Sequence, residues 1–209
     1  MRIGSDESGK GDYFGYLVVA AVAVDLQSEE SLSRLGVRDS KRMSDSAALR
    51  LGEGIRRDYP CEVVRISPAK YNELHEKMGN VNLLLAWAHA RAIENLLEKV
   101  DCSLVVADQF GDERFLAESL MRRGRKVQLV QVPRAESDIA VAAASVAARA
   151  VFLGTLRGLS RRIGIQLPKG ATHVLPTARA VYERGGLDLL REVAKVHFRT
   201  TKQILGSQP

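Results

Sequence analysis

From Tyr16 to Val24 the chain reads YLVVAAVAV, an apolar run without a polar break. A short continuous run rich in Val predicts a strand buried on both faces, and it falls far below the roughly 20 residues that a bilayer span requires. Residues 1–8 lead into this run through Gly9, Gly11 and Gly15, so two strands, 1–8 and 16–25, are expected on either side of a Gly-rich turn. Residues 44–58 open on Ser44 and Asp45 and keep helical spacing, although Gly52 and Gly54 weaken the interior. CEVVRIS (61–67) reads as a strand by its Val and Ile content, and Pro68 suits the first position of a second helix. The clearest helix is VNLLLAWAHARAIENLLEKV (81–100), with apolar residues three and four apart. On it, Trp87 and Leu83–Leu85 are expected in the core, and His89 at the surface or in packing.

The second half alternates in the same way. SLVVADQF (103–110) predicts a short strand whose apolar run closes on Asp108, and RFLAESLMRR a helix. KVQLVQV (126–132) is the next strand. ESDIAVAAASVAARAVFLGTLRGL (136–159) is a long Ala-rich helix whose small side chains permit close packing. LPKGATHVLPT (167–177) is a loop, and 178–198 holds two further helical stretches. With no internal repeat, low-complexity segment or linker, a single α/β domain over 1–209 is expected, with about 178–205 as a C-terminal helical portion.

Composition narrows the partners. The 209 residues are 45% hydrophobic and 27% charged, as in an ordinary folded domain, and 31 Lys and Arg against 25 Asp and Glu give a net charge of +6. That excess fits a polyanionic partner. Only two cysteines are present, Cys61 and Cys102, and the N-terminus lacks the apolar core of a signal peptide. A reduced, cytoplasmic protein without membrane association is expected, and a monomer.

The segment GSDESGKGDYFG (4–15) has the outline of a phosphate-binding loop, Gly4 followed by Gly9 and Lys10. It fails as one: Gly11 stands where the Ser or Thr that holds magnesium is needed, and Asp6 and Glu7 would repel a phosphate. What remains is an acid pair ahead of a flexible cationic turn. Asp108 and Glu136 (or Asp138) add acids at other element ends, and such a carboxylate set suits magnesium-type cations acting on a phosphodiester. Helix-start acids also serve as caps, which leaves Asp138 and Glu136 open to a structural role. Neighbouring strand residues point to opposite faces, so Asp6 and Glu7 reach one site only through a kink at the glycines or through a backbone carbonyl.

Six ordered blocks resemble the type 2 ribonucleases H, in particular the ribonuclease HIII branch: GSDESGKGDYFG, RDSKRMSD (38–45), ADQF (107–110), RAESDIAVAAASVAAR (134–149), LPKGA (167–171) and VAKVHFRTT (193–201). The resemblance implies a ribonuclease H-like fold, a five-stranded mixed sheet flanked by helices, with a C-terminal helical portion. It implies an endonuclease that hydrolyses the RNA strand of RNA/DNA hybrids with Mg2+ or Mn2+ by a two-metal-ion mechanism. A catalytically inactive nucleic-acid-binding protein of the same fold is the alternative. By position it makes Asp6, Glu7, Asp108 and Glu136 the catalytic metal ligands, with Asp138 a possible substitute because the spacing to the Ala-rich helix is one residue short. Ser8, Gly9, Lys10 and Gly11 match the turn that reads the ribose 2′-hydroxyl. Ser40 and Lys41 match phosphate contacts, and Ser145 and Lys169 match substrate-side positions. The catalytic motif starts at residue 4, so the additional N-terminal substrate-binding domain of the branch is not expected. Neither is excision of single embedded ribonucleotides, since the tyrosine used for it elsewhere has no match.

Overall fold

The computed structural model describes residues 1–37 and 43–206. Five strands form one mixed sheet in the order β3-β2-β1-β4-β5: β1 Arg2–Ser8, β2 Leu17–Val24, β3 Cys61–Ile66, β4 Leu104–Asp108 and β5 Gln128–Val132. β1 runs antiparallel to β2 and parallel to β4, and β4 runs parallel to β5. All eight residues of β2 are buried, as its unbroken apolar run requires. The parallel trio puts the C-terminal ends of β1, β4 and β5 on one edge, where open α/β sheets place ligands.

Eight α-helices are described: α1 Leu26–Arg34, α2 Asp45–Asp58, α3 Pro68–Met78, α4 Val81–Leu97, α5 Glu113–Ser119, α6 Ile139–Ile163, α7 Leu175–Val193 and α8 Arg199–Leu205. Ser44 and Ser67 cap α2 and α3 with their hydroxyls, and Pro68 opens α3 as expected. α1 has no counterpart in the sequence reading: of LQSEESLSR only Leu32 is buried, too thin a stripe to register, and the helix is started by Asp25, whose carboxylate accepts from Ser28 N at 2.8 Å. Leu83 departs from its expected core position and is 38% exposed, while Leu84 and Leu85 are fully buried. α6 is long and apolar enough to cross a membrane by composition, yet 78% of its most apolar window is buried within the protein. The two helical stretches expected in 178–198 are the two segments of α7, which divide at Gly185 and Gly186, the second in the left-handed region at φ 63°.

The residues gather into two compact units, each assembled from separated stretches of chain. The first takes Met1–Ser8, Val18–Val64 and Asn80–Val151, the second Gly9–Leu17, Arg65–Gly79 and Phe152–Pro209. In the first, α6 lies directly on β1, because a Cβ at Gly4 would collide with the backbone of Ala140 and Val141. Gly52 gives α2 the same access, since a Cβ there would strike Ala150. In the second, the buried Asn72 of α3 ties the end of α7 and the chain after it, donating to the carbonyls of Arg191 (3.1 Å) and Ala194 (2.9 Å) and accepting from Val196 N (3.0 Å).

Candidate active site

The acids collect at the C-terminal ends of β1 and β4. Ser5 pairs with Ala107 in the parallel register, so one step on, Asp6 and Asp108 are level on adjacent strands and share a face. The close approach at Gly4 brings the first turns of α6 over that face, and the Ser145 hydroxyl donates to the Asp6 carboxylate. Asp6 also accepts from the Glu7 amide at 2.8 Å. Burial above all, then the charge of Glu7, pushes the Asp6 carboxyl up to about 7, against the pull of Ser145, the Glu7 amide and His89.

Asp108 is tied to the third acidic element. Its Oδ1 accepts from Ala135 N at 2.9 Å, and Ala135 begins a single 3₁₀ turn, Ala135–Ser137, that carries Glu136. The preceding residue, Arg134, takes left-handed backbone angles (φ 57°), alone among the described non-glycine residues. A strained turn fastened to a strand-end carboxylate is what one expects where a side chain must be aimed. Glu136 therefore stands on a separate turn ahead of the helix rather than in its first turn, where the periodicity had put it. Asp138 is otherwise engaged: Oδ1 accepts from Ala140 N (2.8 Å) and Val141 N (3.4 Å), capping α6, while Oδ2 accepts from Arg2 Nε (2.7 Å).

Glu7 faces the other way. β1 keeps an unbroken register with β2 through Ser8↔Val18, so there is no kink between Asp6 and Glu7. Glu7 Oε2 lies 3.2 Å from Nε2 of His89 on α4, and His89 Nδ1 lies 2.7 Å from Ser5 Oγ. The donor roles follow the ring's tautomer: a neutral imidazole that donates Nε2–H to the Glu7 carboxylate accepts at Nδ1 from the Ser5 hydroxyl. His89 is fully buried and stacks on Phe110, with ring centroids 4.9 Å apart. The sequence reading placed it at the surface or in packing. A polar residue on an otherwise apolar helix stripe was the available signal, but its partner, two strand residues more than 80 positions away, was not visible.

Among the described residues no three His, Cys, Asp or Glu side chains close into a cage for a metal ion. The donor chemistry nonetheless fits a hard divalent cation, which takes one or two carboxylates and completes its shell with water and substrate phosphate. The structural sign of this fit is the level placement of Asp6 and Asp108 at the ends of adjacent parallel strands, with the Asp6 carboxyl pushed up by burial and then by Glu7. Ser8 ends β1, and Gly9, Lys10 and Gly11 form the turn that follows it. Gly9 has φ 92°, and a Cβ there would collide with the Tyr16 carbonyl, so only glycine fits. Lys169 is exposed on the loop before α7, and Ser40 and Lys41 lie outside the described residues.

The family model described as Ribonuclease HII matches residues 3–201, and the chain belongs to this ribonuclease H family. Ribonuclease HIII of Protochlamydia amoebophila (strain UWE25) is 44% identical over 206 residues, covering 98% of this chain and 68% of the relative. Ribonuclease HIII of Chlamydia abortus (strain DSM 27085 / S26/3) is 40% identical over 210 residues, covering 99% and 70%. Among solved structures, Bst-RNase HIII in complex with Mn2+ superposes with a TM-score of 0.90 at 34% identity, over 98% of this chain and 69% of that one.

Proposed function

We propose that the chain is a metal-dependent endonuclease that hydrolyses the RNA strand of RNA/DNA hybrids, with Asp6, Glu7, Asp108 and Glu136 as its acidic set, Glu7 joining the others through its backbone carbonyl. The observation that carries this reading is the level placement of Asp6 and Asp108 on adjacent parallel strands, with Asp108 bonded to the turn of Glu136, in a chain of this family. Asp6 and Asp108 hold Mg2+ or Mn2+; the Mn2+ in the homologous Bst-RNase HIII structure supports that choice. When bound, the cation supplies the charge that activates a water and steadies the oxygen leaving the phosphodiester. Ser145 orients the Asp6 carboxylate, and His89 fixes the side chain of Glu7. The bare backbone of Gly9–Gly11 approaches the ribose 2′-hydroxyl, the group that separates RNA from DNA, while Ser40 and Lys41 serve phosphates and Lys169 stands on the substrate side. The same reading makes the protein a monomer of the cytoplasm. Free thiols at Cys61 and Cys102 suit that compartment, the first pushed up to about 12 by burial and so unreactive.

The test is cleavage of RNA/DNA hybrid, duplex DNA and duplex RNA with each metal. Only the RNA strand of the hybrid is expected to be cut. Asp6→Asn and Asp108→Asn should each abolish cutting while hybrid binding persists. Cutting of duplex DNA, or full activity in both variants, rejects the mechanism.

A further inference from the structure

Lys195 is fully buried, a rare state for a lysine, and among the described residues no carboxylate forms a salt bridge with it. Its Nζ donates to two backbone carbonyls, Asp12 O and Gly15 O, both at 2.8 Å, and lies 5.7 Å from the centre of the Tyr71 ring. All of these residues belong to the second unit. Desolvation draws the ammonium down to about 7 in spite of Asp12, a measure of how dry the site is. A buried cation is tolerated only where its N–H groups are satisfied, and here the acceptors are the two ends of one short loop.

That loop, Asp12–Gly15, directly follows the Gly9–Gly11 turn. It is held from two further directions. The chain at Val193–Lys195 pairs with it through Gly15 N to Val193 O (2.9 Å) and Lys195 N to Tyr13 O (2.8 Å). The 167–171 stretch holds it through Tyr13 N to Gly170 O (2.9 Å) and Gly170 N to Asp12 Oδ1 (2.6 Å). Tyr13, fully buried, adds a hydroxyl bond to Thr201 at 2.9 Å. Main-chain pairing alone would fix the loop's position. Lys195 adds a side-chain tie between the loop's two ends, its Nζ linking the Asp12 and Gly15 carbonyls.

We infer that Lys195 is a positioning residue for the ribose-reading turn, holding Gly9–Gly11 in its binding shape through the Asp12 and Gly15 carbonyls. The inference rests on the nuclease reading above. It predicts an effect on substrate capture separate from metal binding, since the acids lie on other elements.

The experiment compares wild-type, Lys195→Met and Lys195→Ala chains on RNA/DNA hybrid with Mn2+ under steady-state conditions, with Mn2+ affinity measured by calorimetry. Lys195→Met is expected to raise KM at least about tenfold, to lower kcat less than threefold and to leave the Mn2+ Kd within twofold. Propylammonium should lower the raised KM of Lys195→Ala, because the free cation re-bridges the carbonyls, while kcat and the Mn2+ Kd stay where they were. A soluble Lys195→Met protein with wild-type KM, or one whose loss lies in kcat alone, overturns the inference. Should both lysine variants fail to fold, Lys195→Gln, whose shorter amide cannot span both carbonyls, must raise KM in the same way, and a wild-type KM there also overturns it. A wild-type chain that leaves the hybrid intact defeats the nuclease reading and this inference together, whereas a cutting wild type beside an unaffected variant defeats this inference alone.

Discussion

At the scale of single residues, Asp6 carries the most chemical information. Its carboxyl is raised from an ordinary 3.8 to about 7 by burial beside Glu7. The folded protein therefore binds this proton more tightly than the unfolded chain does. The stabilisation that results is complete below about pH 4 and is lost as the pH rises through 7. A divalent cation needs the ionised form and must displace the proton. Mn2+ affinity should thus weaken by about tenfold per pH unit below 7, the slope for one displaced proton, and level off above it. Calorimetric titration between pH 5.5 and 8.5 checks this, and a flat profile would show that Asp6 is already ionised in the free protein. The residue itself was legible from its place in GSDESGKG. Its environment was not, because Ser145 and His89 reach it only through the fold.

At the scale of elements, the junction between β5 and α6 separates two acids that the letters leave equivalent. RAESD presents Glu136 and Asp138 two residues apart, either of which suits a helix start. The chain resolves them by giving Glu136 its own 3₁₀ turn, locked to Asp108, and spending both Asp138 oxygens on the α6 amides and Arg2. Glu136→Gln is expected to lower turnover by orders of magnitude with little change in Tm. Asp138→Ala should lower stability by about 1–2 kcal/mol through the lost cap and ion pair while most of the turnover remains. Turnover and thermal melts of both variants decide it; the reverse ranking would transfer the role to Asp138. Where hydrophobic periodicity is strong, as in α4 and β2, the boundaries fall within a few residues of expectation. Where a helix is polar and held by one buried side chain, as α1 is by Leu32, there is no periodic signal to find.

For the molecule as a whole, 31 Lys and Arg against 25 Asp and Glu leave a net charge of +6. A polyanionic substrate then releases counterions on binding, so KM for hybrid should rise steeply between 50 and 200 mM salt while kcat stays constant. A KM indifferent to salt would mean that the basic surface takes no part in capture. The compact units are likewise a property of the whole: the second draws together Gly9–Leu17, α3 and the chain from Phe152 on, segments with no sequence signal in common.

The chain's letters alone determined the sheet-and-helix framework, the acids and the glycine turn, because periodicity, turn chemistry and the ordered motif blocks are local and survive in one dimension. Tertiary structure decided which acids face one another, that Glu7 turns toward a buried His89, that Asp138 caps a helix, and that a hidden lysine braces the loop beside the turn. Strand register, close approach at Gly4 and desolvation each depend on partners tens to hundreds of residues away, and no window along the sequence contains both members of such a pair.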